Sequence, residues 1–157
     1  MNLELVRDFD LTLLQRLVQL ETEAFGIGGL NEWHLVPFIR HGRVFITRQN
    51  QEVVGSIQYM LDWENHRKAY LMGVSIDKRL RGQELGTKFM KKSLQILAGE
   101  NIEEVELTVD PRNAAAIRVY ENKLGFTTVD ARNNEYGQGE NRLVMTISLK
   151  GFLGKNI

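Results

Sequence analysis

Residues 74–92 read VSIDKRLRGQELGTKFMKK. An apolar strand pattern over 74–76 runs into a basic, glycine-bearing turn, and the turn opens directly into an amphipathic helix. Arg79 and Arg81 precede Gly82, and Gly86 falls where the first helical turn begins. Leu85, Phe89, Met90, Ser93, Leu94 and Leu97 then keep the three-and-four spacing of a buried helix face. Lys88, Lys91, Lys92 and Gln95 take the outer face. Free backbone N–H groups at a helix start, glycines that admit a close ligand and cations alongside make an anion site. The helical pattern predicts an end at Ala98, with Gly99 as a left-handed C-terminal cap.

Upstream, residues 2–7 alternate as a short strand. Residues 10–25 place Leu13, Leu14, Leu17, Val18, Leu20, Ala24 and Phe25 at helical intervals behind an Asp10 N-cap. Gly26, Gly28 and Gly29 break that pattern as a mobile loop. Residues 31–39 carry a weaker helical pattern, in which Pro37 belongs near a start or a break. Residues 43–47, 53–61 and 69–77 read as strands.

Downstream, residues 102–109 read as a strand, and Asp110-Pro111 puts proline at a first helical turn. Residues 113–124 form a helix with Ile117, Tyr120 and Leu124 on one side, closed by Gly125. Residues 126–132 and 142–149 are strands around a polar loop, the second alternating cleanly through Leu143, Met145, Ile147 and Leu149. The order β-α-α-β-β-β-α-β-α-β-β is that of a mixed sheet with helices on both faces. With no repeat or linker, residues 1–157 read as a single domain.

A chain of 157 residues can bury a full single-domain core. Its 20 basic and 20 acidic residues cancel, which argues against a dedicated nucleic-acid binder. The lack of cysteine excludes disulfides, thiolate metal sites and a cysteine nucleophile. His34, His41 and His66 have no metal-ligand spacing, so no metal is expected. The opening MNLELVRDFD has no signal-peptide core, and no apolar run is long enough to span a bilayer. The expectation is a soluble, cytoplasmic protein with neither a nucleic-acid nor a membrane partner.

Arg81-Gly82-x-x-x-Gly86 after a strand, followed by Asn113-x-x-Ala116-Ile117-x-x-Tyr120-x-x-x-x-Gly125-Phe126, resembles the GNAT acetyltransferase superfamily. The resemblance covers essentially the whole chain, its N-terminal third by element order alone. The second motif is most similar to the ribosomal-protein alanine N-acetyltransferase branch. What this implies is an α/β (α+β) fold with a mixed, mostly antiparallel sheet, helices on both faces and splayed parallel central strands. The implied cofactor is acetyl-coenzyme A. Its pyrophosphate would meet Arg81, Gly82, Gln83, Glu84, Leu85, Gly86 and Thr87. Its pantetheine arm would follow Val74, Ser75 and Ile76, with a backbone N–H there as oxyanion donor. The family pattern Arg/Gln-x-x-Gly-x-Gly/Ala has glycine where this chain has Glu84, a carboxylate compatible with a pyrophosphate when its side chain turns to solvent.

Asn113 matches a cofactor-bonding asparagine and serves equally well as a plain N-cap. Tyr120 matches the tyrosine that protonates the departing thiolate, a role that suits a phenol with a pKa of about 10. Its plainer reading is a core aromatic with its hydroxyl at the edge. The branch's catalytic glutamate falls on Thr108 here. The base is then assigned to Glu106, two residues earlier on the same side of the strand, or Glu106 is a sheet-surface charge. In the loop over 133–141, NNEYGQGEN, Tyr136, Gly139 and Glu140 match the peptide-binding loop of that branch, whereas Glu135 and Asn141 depart from it.

Glu21, Glu23 and Glu32 flank the first glycine loop, which lines the acceptor cleft in the family. Acids there attract a cationic amine or are simply solvated. The expected activity is N-acetylation of a primary amine, on a small molecule or a peptide, by direct attack in a ternary complex. A homodimer is compatible with it. The alternative is a non-enzymatic acyl-coenzyme A sensor or partner module, for which Thr108 and Glu84 leave room.

Overall fold

The computed structural model describes residues 1–82 and 84–152. Along them run β1 (Leu3–Leu5), α1 (Leu11–Phe25), α2 (Glu32–His41), β2 (Arg43–Gln49), β3 (Glu52–Leu61) and β4 (Lys68–Ile76). There follow α3 (Leu85–Gly99), β5 (Glu104–Val109), α4 (Ala114–Arg118), β6 (Thr127–Arg132) and β7 (Arg142–Ser148). This is the element order read from the sequence. The strands form one sheet in the order β1-β2-β3-β4-β5-β7-β6. Its neighbours are antiparallel except β4 and β5.

Local chemistry sets most boundaries. Asp10 accepts from Leu13 N at 2.9 Å and starts α1, which buries Leu14, Leu17 and Leu20. α2 runs through Pro37 instead of breaking there. A capping box, with Asn31 accepting from Trp33 N and His34 from Asn31 N, and the buried Leu35 and Ile39 offset the one backbone bond that proline removes. Gly99 lies inside α3, and the left-handed position after the helix belongs to Asn101, at φ 69°. Pro111 sits in a turn closed by Asp110, which accepts from Arg112 N at 2.9 Å; α4 starts only after Asn113. From Val119 to Leu124 the chain continues α4 as a π-helical turn, and Tyr120 O accepts from Gly125 N and Phe126 N. Gly125 closes it at φ 94°, as its position in the sequence requires.

Two apolar layers sandwich the sheet. Phe45 joins the cluster with Phe89, Leu94 and Leu97 of α3, while its neighbours Val44 and Ile46 join Leu17, Leu20, Leu35 and Ile39 of α1 and α2. Alternation along β2 therefore puts the two helix pairs on opposite faces. β4 changes phase midway. Gln58 pairs with Gly73 and Tyr59 with Leu71, which leaves Met72 as a bulge. Ala69 and Leu71 before the bulge, and Val74 and Ile76 after it, all reach the α3 side.

Candidate functional site

The parallel pairing of β4 with β5 runs only from Lys68↔Glu104 to Tyr70↔Glu106. Leu71 and residues 73–76 continue to pair with β3 but not with β5, so the strands part beyond Tyr70. The peptide groups that β4 turns toward β5 are then without a strand partner. A cleft of about 480 Å³ lies at this opening. Val74 and Ile76 form its floor; Arg81, Gly82 and Glu84 come from the turn, and Leu85, Gly86 and Thr87 from the start of α3. Tyr120, Val119 and Lys123 close the far side, with Phe25 at the end of α1.

The turn is built on Asp77. Its carboxylate accepts from Arg79 N at 2.9 Å, from Arg79 Nη2 at 2.6 Å and from Arg16 Nη2 at 2.7 Å. Arg79 also reaches Glu52 at 2.9 Å. These cations hold the Asp77 carboxyl far below its usual range, hydrogen bonding by Arg79 contributing most. Arg79 is thus committed to the turn itself, while Arg81 lines the cleft with its Nε on Ile76 O at 3.3 Å. Gly82 has φ 81° and open space where a side chain would start.

Glu84 also lies in the left-handed region, at φ 60°. Its exposed carboxylate turns toward the π-helical turn and meets Lys123 Nζ at 2.6 Å, which lowers its pKa from the ordinary value. The first-turn N–H groups of α3, on Leu85, Gly86 and Thr87 of the cleft lining, have no helical acceptor.

Tyr120 packs edge-on against Phe126, with ring centroids 5.9 Å apart, and burial raises its phenol above the ordinary value. The π-helical turn carries this side chain to the cleft wall. π-bulges of this kind recur at functional sites.

Other sequence-named residues lie elsewhere. Ser75 points to the opposite face from Val74 and Ile76, buried and with its Oγ unpartnered. Asn113 caps α4, accepting from Ala116 N at 3.2 Å, and is not among the cleft-lining residues. Glu106 lies in the closed stretch beside Tyr70, paired with Lys68 Nζ at 2.9 Å and Arg132 Nη2 at 3.8 Å. Thr108 accepts or donates at 2.8 Å to the Tyr70 hydroxyl, whose pKa burial pushes up to about 12. Gln83 falls outside the described residues. Lys123, Val119 and Phe25 were not singled out from the sequence; Lys123 stands one helical turn after Tyr120, the one local signal for it.

The loop before β7 ties itself together. Asn141 Oδ1 accepts from Asn134 N, Asn134 Oδ1 from Gly139 N, and Glu135 pairs with Arg132 at 3.1 Å. Arg142 lies 4.9 Å over the Tyr136 ring. Among the described residues there is no His/Cys/Asp/Glu group able to hold a metal, and no helix long and apolar enough to cross a membrane.

Over 84 residues the chain is 31% identical to N-alpha-acetyltransferase 30 of Xenopus laevis, covering 52% of this chain and 30% of that protein. With N-alpha-acetyltransferase 30 of Schizosaccharomyces pombe it shares 29% over 86 residues, 52% of this chain and 55% of the relative. The chain thus spans between about a third and about half the length of these relatives.

Among solved structures, the ribosomal-protein-S18-alanine N-acetyltransferase from Escherichia coli superposes with a TM-score of 0.79 at 21% identity, over 99% of this chain and 97% of that one. An aminoglycoside 6'-N-acetyltransferase complexed with coenzyme A gives 0.77 at 14% identity, over 95% and 97%. At such identities these two establish the fold alone. The sequence profile described as the acetyltransferase (GNAT) family matches residues 11–126, which take in the splayed strands, the glycine turn and the π-helical tyrosine, and the chain belongs to that family.

Proposed function

We propose that this chain transfers an acetyl group from acetyl-coenzyme A to a primary amine. One observation carries the reading: the opening of β4 from β5, the basic glycine turn at the start of α3 and the buried phenol of Tyr120 share one cleft. The residues present fit the cofactor. A pyrophosphate suits the first N–H groups of α3, the open side of Gly82 and the cations Arg81 and Lys123. An amide-bearing pantetheine arm suits the peptide edge of residues 74–76 that faces β5, where β4 has no strand partner. When bound, the cofactor supplies an activated acetyl thioester. Tyr120 keeps its proton at neutral pH, since burial raises its pKa, and its position in the cleft lining supports its giving that proton to a departing thiolate. With no cysteine to carry an acyl group, the chain's part is positioning, backbone donation and that proton.

A thiol-release assay over a panel of amines tests this. Tyr120→Phe is expected to lower kcat roughly 100-fold, with calorimetric coenzyme A affinity within about twofold of wild type. Unchanged turnover removes the acid role. Coenzyme A binding with no transfer to any amine favours the sensor reading instead. Glu106, held by Lys68 and Arg132, is better read as a sheet charge than as the base. Turnover of Glu106→Gln close to wild type is the corresponding expectation.

A second reading takes the amine from a peptide N-terminus. It is favoured by the N-alpha-acetyltransferase relatives and by Tyr136, whose phenol lies beside that of Tyr70. Peptides beginning with Ala or Ser belong in the panel for that reason. The reading also carries a cytoplasmic location and no nucleic-acid or membrane partner, and sedimentation of the purified protein tests for a homodimer.

A further inference from the structure

Four polar side chains are buried together on the sheet face opposite Val74 and Ile76. They are Glu21 of α1, Ser56 and Gln58 of β3 and Ser75 of β4, each no more than 1% exposed. Gln58 Nε2 donates to Glu21 Oε1 and to Ser56 Oγ, both at 3.0 Å, and Leu30 N donates to Glu21 Oε2 at 3.1 Å. Both amide protons of Gln58 are used, so its orientation is fixed; turned round, its oxygen would oppose the carboxylate. Its Oε1 has no partner. That atom points at Gly73, where an added methyl carbon would lie 3.5 Å from it. A pocket of about 90 Å³ sits here, with Phe25, Leu30 and Met72 as its apolar walls.

The unspent hydrogen-bonding positions of Gln58 and Glu21 in this pocket are all acceptors. The occupant must therefore donate, and a buried carboxylate without an ion pair among the described residues favours a positive donor. Water's share of liquid volume is about 30 Å³, so the pocket holds an ammonium nitrogen and one or two carbons behind it. Gly73 follows the β4 bulge and precedes Val74 on the cleft floor, at a level where β4 has already left β5. Phe25 is a wall of both cavities.

We propose that this pocket is the subsite for the acceptor's primary ammonium, bound by Gln58 Oε1 and Glu21, and that Glu21 takes one proton from it. In that step an N–H bond breaks and an O–H bond forms on Glu21, the ammonium becoming a neutral amine and the carboxylate a neutral acid. Burial holds the Glu21 carboxyl above its ordinary value, which strengthens it as a proton acceptor. The occupant is an acetyl acceptor only on the acetyl-transfer reading, on which this subsite rests. The same ammonium chemistry belongs to an unbranched small amine and to a peptide N-terminus.

Binding can be read without turnover, from the Gln58 side-chain amide resonances of the 15N-labelled protein. Butylamine, an Ala-initiated tetrapeptide and neutral butanol are titrated separately. A saturable shift with butylamine, the peptide or both, and none with butanol, is expected, and which of the two shifts the signal identifies the source. Gly73→Ala adds a methyl at ordinary contact distance from Gln58 Oε1 and Phe25, which takes the space in front of that oxygen, and it should abolish the shift. In the transfer assay Glu21→Gln and Gly73→Ala should each lower kcat/KM for the amine roughly 10- to 100-fold, with coenzyme A affinity within about twofold. No saturable shift, or a shift that survives Gly73→Ala, overturns the subsite. So does transfer by both variants at wild-type kcat/KM, an outcome that leaves acetyl transfer standing. Amine binding at Gln58 without acetyl transfer leaves the ammonium pocket standing and removes the transfer reading, and with it the pocket's acceptor role.

Discussion

At φ 60° and ψ 10°, Glu84 holds a backbone conformation in which a Cβ crowds the following carbonyl. Its side chain returns little, because the bond to Lys123 is between two exposed groups and is screened by solvent. Glu84→Gly should relieve the crowding and raise the melting temperature by roughly 2–4 °C. Glu84→Ala keeps the strain, loses the ion pair and should fall below wild type. The glycine variant also releases Lys123 into the cleft it lines, so coenzyme A should bind more tightly. A melting order with alanine above glycine would refute the strain argument. The sequence flags Glu84 as the residue out of pattern, and its side chain does turn outward. What it does not reveal is the partner, since Lys123 lies 39 positions further along the chain.

The glycine turn and α3 work as a unit, and the turn's two arginines divide the labour. Arg79 is spent on Asp77 and Glu52, so its removal should act on folding, whereas Arg81 faces the cleft. Arg81→Ala should weaken coenzyme A roughly tenfold by calorimetry through loss of a charge-assisted contact, with little change in melting temperature. Unmoved affinity would break the pyrophosphate assignment.

At this scale the sequence was legible wherever chemistry is local, as in the Asp10 cap, the Gly125 turn and the alternation of β7. The Met72 bulge leaves a trace too, in the switch of buried positions from 69 and 71 to 74 and 76. The π-helical turn leaves none, because one extra residue in the last turn preserves the spacing of Ile117, Tyr120 and Leu124. Gly99 marks the end of α3 in the sequence without capping it, because Asn101, two residues on, adopts the left-handed conformation instead. The burial of Glu21 was equally hidden, since its partner Gln58 is 37 residues away.

Across the whole molecule, α1 is joined to the sheet by two buried acids that respond oppositely to pH. Asp77 binds Arg16 of α1 at the end of β4, and its carboxyl is held well below the ordinary 3.8. A depressed carboxylate stabilises the fold fully above its unfolded pKa, and that contribution is lost as pH falls through the folded value. Glu21, raised from 4.5 by burial, does the reverse: stability declines as pH climbs from 4.5 to its folded value, because the native state holds its proton longer. Asp77→Asn should therefore cost about 2 kcal/mol at pH 7, by leaving Arg16 without its buried partner. In urea titrations the gap from wild type should narrow between pH 7 and pH 3, since the wild type is by then losing what the variant never had. The loss should reach the cleft as well, because Asp77 caps the turn that carries Arg81 and Gly82; coenzyme A affinity at pH 7 should fall with stability in this variant. A gap that stays constant across that range would mean that the ion pair does not couple α1 to the anion turn.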